Sequence, residues 1–120
     1  MYSYNKNIGN LGESLAEDFL LKNNYKIIIK NFKCKLGEID IISKKNNYIC
    51  FIEVKARLQY FYGAPREAVN YRKQQKIRKV AQVYILKNQF HKFNYRFDVI
   101  EIIFNRDLMD FTINHIKNAF

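Results

Sequence analysis

Two apolar, β-branched runs, residues 37–43 and 48–56, are separated only by Lys44-Lys45-Asn46-Asn47, and both carry acids inside otherwise apolar sequence. Runs this short and this close, rich in Ile, Val, Phe and Tyr, favour a β-hairpin. Side chains alternate between the faces of a strand, so Glu38 and Asp40 are expected on one face, and Glu53 and Lys55 on one. A two-residue turn at Asn46-Asn47 pairs Lys45 with Tyr48 and sets Asp40 opposite Glu53, with Cβ atoms about 5 Å apart. A four-residue loop leaves the two acids diagonal on one face. At that distance the like charges repel by about 3 kcal/mol at an effective dielectric of about 20, and Lys55 offsets this only partly. A divalent cation would remove the conflict.

Upstream, Leu11, Leu15, Phe19 and Leu20 recur at helical spacing over residues 10–23, with Asn10 as the expected N-cap. Strand-like runs follow at 25–34, 37–43 and 48–56. After the aromatic stretch Leu58-Gln59-Tyr60-Phe61-Tyr62 the chain is expected to turn helical at Pro65. Over residues 72–88, Ile77, Val80, Ala81, Tyr84 and Ile85 share one helical face, and Arg72, Lys76 and Lys79 line another. Residues 95–104 read as a further strand and 110–116 as a weaker one. The order α-β-β-β-α-β predicts an α/β domain with a central mixed sheet flanked by helices.

The 120 residues, 48% hydrophobic and 27% charged, suit a single globular domain over residues 1–120. No apolar stretch approaches the ~18 residues of a membrane span, and the N-terminal residues lack the apolar region of a signal peptide. The expectation is therefore a cytoplasmic protein without a membrane partner. A net charge of +10 suits a polyanion such as nucleic acid. An abundance of Lys, Asn and Ile is also what a biased coding genome produces. Cys34 and Cys50 both fall in strand-like runs and read as apolar packing rather than a bridge.

Each candidate residue has two readings. Asp40 and Glu53 suit a hard cation such as Mg²⁺ (or Mn²⁺), which takes carboxylate oxygens and keeps waters; exposure on a half-solvated strand is the alternative. Lys55 can reach a water or phosphate on the same cation, or simply pair with Glu53. Glu13 stands three residues after Asn10, the position of the acid in a capping box. Glu38 either orients Arg57, Arg96 or a bound water, or forms a solvent-facing ion pair. Arg96 and Asp98 read as an internal pair supporting the sheet. Arg57, Arg66, Arg72, Lys73 and Lys76, with Tyr62 and its aromatic neighbours, mix cations with stacking surfaces as nucleic-acid contacts do; a solvated helix face is the alternative. His91 and His115 have no ligand-spaced partner.

Taken together, the pattern resembles the YraN-like family of the PD-(D/E)xK nuclease superfamily, with its restriction-endonuclease-like fold. The resemblance is carried by Gly9-Asn10-Leu11-Gly12-Glu13, Ala16, Leu20, Asn31, Gly37-Glu38-Ile39-Asp40 and Phe51-Ile52-Glu53-Val54-Lys55-Ala56-Arg57. It continues through Gly63-Ala64-Pro65-Arg66-Glu67-Ala68-Val69, Lys73, Ala81 and Arg96-Phe97-Asp98-Val99-Ile100, so that it covers residues 9–104. It implies that Asp40, Glu53 and Glu13 bind a divalent metal, that Lys55 positions or activates water, and that a phosphodiester of DNA is hydrolysed. A non-catalytic nucleic-acid-binding or scaffold module with the same fold is the competing reading. A homodimer would let paired sites cut opposed strands. Asn24-Tyr25 replaces the usual glycine-aromatic turn, which Asn tolerates through its access to left-handed backbone. Lys33 stands where arginine is frequent.

Overall fold

The computed structural model describes residues 2–59, 69–88, 92–105 and 110–120, with side chains described from residue 7 onward. The elements run α1 (Tyr2–Lys22), β1 (Lys26–Cys34), β2 (Gly37–Lys45), β3 (Tyr48–Leu58), α2 (Tyr71–Asn88), β4 (Asn94–Phe104) and β5 (Phe111–Ile116). This is the expected α/β domain, with the weak last strand present. One five-stranded sheet has the order β1-β2-β3-β4-β5. Its neighbours are antiparallel except β3 and β4, which run parallel and are joined through α2. No helix among the described residues is long and apolar enough to cross a membrane.

The helices cover opposite faces of the sheet. Ala16 and Leu20 of α1 pack with Ile41, Cys50, Ile52, Ile100 and Ile102. Ile77, Val80, Ala81 and Tyr84 of α2 pack with Ile39, Ile42, Ile49 and Phe51. Along β3 even-numbered residues therefore face α1 and Ile49 and Phe51 face α2, which places Glu53, Lys55 and Arg57 on the α2 side. Cys50 is buried and Cys34 partly so, and both are free thiols.

Helix α1 begins at Tyr2, so Asn10 lies inside it and is not its N-cap. Ile8 is 5% exposed and joins the α1 core, extending the apolar face a turn before the expected start. Gly9, Asn10 and Gly12 are weak helix formers, which is why the segment reads as a boundary. Gly12 is needed for packing: a Cβ there would lie 2.6 Å from the Ala56 Cβ, so the bare backbone lets α1 sit directly on β3. The helix closes as expected at Asn24, with φ 68°. Tyr25 N donates to Leu20 O at 2.9 Å and Asn24 N to Leu21 O at 3.2 Å, the paired bonds of a left-handed helix cap.

The start of α2 falls at Tyr71, and Asn70 caps it by accepting from Lys73 N at 2.9 Å. The helical start at Pro65 lies outside the described residues, as do Tyr62, Arg66 and His91.

Candidate functional site

The turn between β2 and β3 has the two-residue form, with Asn46 at φ 53° and Lys45 paired with Tyr48. That register holds as far as Ile41 opposite Ile52. Beyond it the strands fork, and this corrects the expectation of a regular Asp40–Glu53 pair. Lys30 is paired with Ile41 and Phe32 with Ile39, leaving Asn31 and Asp40 between them. Ile41 packs under α1, whereas Ile39 and Phe32 pack under α2. Two residues apart on one strand, Ile39 and Ile41 should share a face; the alternation resets where Asn31 takes φ 56°. Glu38 and Asp40 accordingly do not form a shared acidic face.

At this fork the Asp40 side chain takes the place of a ladder carbonyl, its Oδ2 accepting from Val54 N at 2.8 Å. The carboxylate thus points across the gap into β3, at the residue following Glu53. Burial, reinforced by the Glu53 charge and more weakly by Glu13, lifts the Asp40 carboxyl to about 7 against the opposing pull of the Val54 N–H and Lys73. The like-charge conflict expected from the sequence is present in the fold.

Glu53 is only 8% exposed. Its Oε1 accepts from Lys73 Nζ of α2 at 2.8 Å. Lys73, read from sequence as a nucleic-acid contact, therefore carries the site's own counter-charge; the Glu53 hydrogen bond and charge raise its pKa against the opposing effect of burial. Lys55 follows on the same face, half-buried, with its Cα paired to Glu101 of β4. Glu101 is buried at 6% exposure and lies 3.9 Å from Arg57 Nε, giving the α2 face of β3 and β4 a further acid. The run Ile100-Glu101-Ile102 carries the same signal as Ile52-Glu53-Val54, and reading it that way would have found Glu101.

Glu13 comes from α1, which covers the other face, and its charge acts weakly on Asp40. It stands in the interior of α1, so the capping-box role does not apply. Among the described residues no three His, Cys, Asp or Glu side chains form a group that could hold a metal ion. Asp40 and Glu53 are the carboxylates that could hold a cation such as Mg²⁺, which needs only one or two of them and completes its shell with waters and substrate oxygens.

Glu38 is exposed and paired with Lys33 at 3.8 Å, the solvent-facing alternative. Arg96 and Asp98 lie on the α1 face, away from Glu53, because even-numbered residues of β4 point there. Arg96 Nε and one terminal nitrogen both bond Asp98, and the terminal nitrogen also donates to the Tyr25 hydroxyl at 2.7 Å. Asp98 further meets His115 Nε2 at 2.8 Å and the Asn118 N–H at 3.1 Å. Burial pushes the Asp98 carboxyl up, but bonds from His115, Arg96 and Asn118 outweigh it and hold the group below its ordinary value. Arg96 thus supports the sheet rather than the acid site.

Arg72, Lys76 and Lys79 project from the outer face of α2 and, with Tyr71 and Gln75, line a shallow groove of about 430 Å³. Tyr71 is 74% exposed, an aromatic ring beside three cations. Lys73 turns inward to Glu53 and leaves that row.

Comparison with known proteins places these features in a family. A profile described as uncharacterised protein family UPF0102 matches residues 12–102, which include Glu13, Asp40, Glu53 and Lys55. The chain is 55% identical over 120 residues to a UPF0102 protein of Clostridium tetani strain Massachusetts / E88, covering 100% of this chain and 98% of that protein. It is 52% identical over 120 residues to a UPF0102 protein of Clostridium novyi strain NT, covering 100% of both. With a family match across its core and relatives of this identity along its full length, the chain belongs to the UPF0102 family.

Proposed function

We propose that this chain is a divalent-metal-dependent nuclease of the PD-(D/E)xK type, hydrolysing phosphodiesters of DNA. The observation that carries the reading is the forked hairpin, where Asp40 is held against β3 beside the buried Glu53, with Lys55 on the same strand. Asp40 and Glu53 would hold Mg²⁺ or Mn²⁺, with Glu13 close enough to add to their field. Bound there, the ion supplies neutralisation of phosphate charge and acidification of a water.

The remaining work falls to the chain's own groups. Lys55 orients a water or stabilises charge on the phosphate, and its fixed place on a central strand lowers the reorganisation required. Val54 N–H keeps Asp40 aimed at the gap. Arg72, Lys76 and Lys79 offer the DNA backbone a row of cations on α2, with the exposed Tyr71 ring available for stacking.

A panel of single-stranded, duplex, flap and branched DNA tests the reading. Cleavage with Mg²⁺ or Mn²⁺ should vanish in Asp40→Asn and Lys55→Ala while DNA binding persists. Cleavage unaffected by either substitution would refute the assignment. One observation favours a second reading, a nucleic-acid-binding module without turnover: Lys73 already satisfies Glu53 at 2.8 Å. Binding without cleavage across the panel would select it.

A further inference from the structure

Beyond Lys55 the same face of the sheet continues into a cavity that the acid site does not use. It has a volume of about 270 Å³, with Arg57 and Gln59 on one side, Asn105 and Asp110 on another, and Phe111 and Thr112 from the start of β5. Arg57 stands four residues after Glu53, about 13 Å along the strand at about 3.3 Å per residue, so one bound strand can occupy both places. Its Nε is buried without a hydrogen-bond partner among the described residues, and Glu101 Oε2 at 3.9 Å lies beyond bonding range. A buried guanidinium nitrogen in that state is an unused donor.

The cavity is polarised. Arg57 lies at the end nearer the acid site, and the carboxylate of Asp110 belongs to the far rim. Asn105 fixes that rim, its Oδ1 accepting from Asp110 N at 3.2 Å, its backbone N–H donating to Asp110 O at 3.0 Å and its Nδ2 donating to Asp110 Oδ2 at 3.5 Å, which leaves Asp110 Oδ1 for a ligand. With Glu101 and Asp110 balancing Arg57 and Lys55, the local charge is near neutral, which disfavours a free phosphate dianion. A nucleoside carrying a single phosphodiester charge matches better: anion toward Arg57, base toward Asp110, Asn105 and Thr112, with Ile103 adding apolar surface. Asp110 accepts hydrogen bonds and repels carbonyl oxygens, so a base edge presenting an amino group, as cytosine does, fits where thymine does not.

We infer that the Arg57–Asp110 cavity is a nucleotide subsite, holding a nucleoside of the bound strand and its phosphodiester about 13 Å along β3 from Glu53. The inference rests on the nuclease reading for its context but is tested without metal or turnover.

The probes are the dinucleoside monophosphates d(CpC) and d(TpT), deoxycytidine and inorganic phosphate, titrated into the ¹⁵N-labelled full chain in the presence of a chelator. d(CpC) should shift the amides of Asn105, Phe111 and Thr112 and the Arg57 Nε–H resonance. It should bind about tenfold more tightly than deoxycytidine, as expected for one charge-assisted hydrogen bond, and more tightly than d(TpT). Arg57→Gln should remove the advantage over deoxycytidine. If that variant does not fold, Thr112→Tyr, at an exposed rim position, should block binding by filling the mouth. Shifts confined to α2, equal response to inorganic phosphate, or no response would overturn the inference. DNA cleavage with a silent cavity would sink the subsite alone. A responding cavity in a chain that cuts no DNA would sink the nuclease reading alone.

Discussion

At the scale of single residues, the energetics of the site centre on Asp40. Its carboxyl ionises near 7 in the fold against 3.8 for the ordinary group, so the native state holds a proton that the unfolded chain has already released. Stability must then fall as pH rises from about 4 to about 7, the reverse of a salt-bridged acid. Asp40→Asn should raise the stability of the metal-free protein at pH 8 by about 2–4 kcal/mol, and the gain should shrink to nothing near pH 4. Thermal unfolding of both proteins across that range measures it; a destabilised variant at pH 8 would mean the carboxylate is welcome where it sits. Asp98 has the opposite sign. Held below its ordinary value by Arg96, His115 and Asn118, it stabilises the fold above 3.8 and loses that contribution as pH falls through its own lower value. Asp98→Asn leaves Arg96 a buried charge without a counter-ion and should cost about 3–5 kcal/mol near neutral pH, read by chemical denaturation.

At the scale of elements, α1 docks on β3 at Gly12, the residue before Glu13. Because a Cβ on Gly12 would stand 2.6 Å from that of Ala56, Gly12→Ala should force the helix outward and cost about 1–3 kcal/mol. Adding Ala56→Gly should recover part of the loss, and a double-mutant cycle that shows no coupling would refute the contact. Sequence reasoning reaches the hairpin because its turn is local: Asn46 can take the left-handed conformation that a two-residue connection requires. It also reaches the end of α1, where Asn24 does the same. It does not reach the fork, since strand periodicity assumes regular backbone and Asn31 departs from it opposite Asp40. Nor does it place the start of α1, where helix propensity argues for a boundary and tertiary packing overrides it. Lys73 looked like a surface cation because nothing local shows that the first turn of α2 brings its ammonium onto Glu53. The Arg57 cavity is closed by residues 110–112, a contact between distant parts of the chain.

At the scale of the whole molecule, the sheet divides two kinds of charge. The α1 face buries a satisfied network in which Asp98 ties β4 to His115 and to the C-terminal segment. That segment is also anchored by Ala119 N donating to Phe97 O at 2.7 Å and by Phe120 stacked on Phe97 at 5.4 Å. The α2 face carries Glu53 with its partner Lys73, Glu101 beside Arg57, and the outward row of cations. With a net charge of +10, DNA affinity should fall steeply and log-linearly with salt. Replacing Arg72, Lys76 and Lys79 together by Gln should flatten that slope by about 2–3 units in a titration from low to moderate salt; an unchanged slope would move the DNA to another face.

The proposed chemistry requires the Asp40–Glu53 pair to recruit a divalent cation. Calorimetric titration of the metal-free chain with Mn²⁺ at pH 8 asks this directly. The wild type should bind the ion at a single site, and Asp40→Asn should weaken that binding by about tenfold or more, as loss of one of two carboxylate ligands demands. A wild-type chain that binds no Mn²⁺, or a variant that binds it equally well, would contradict the account.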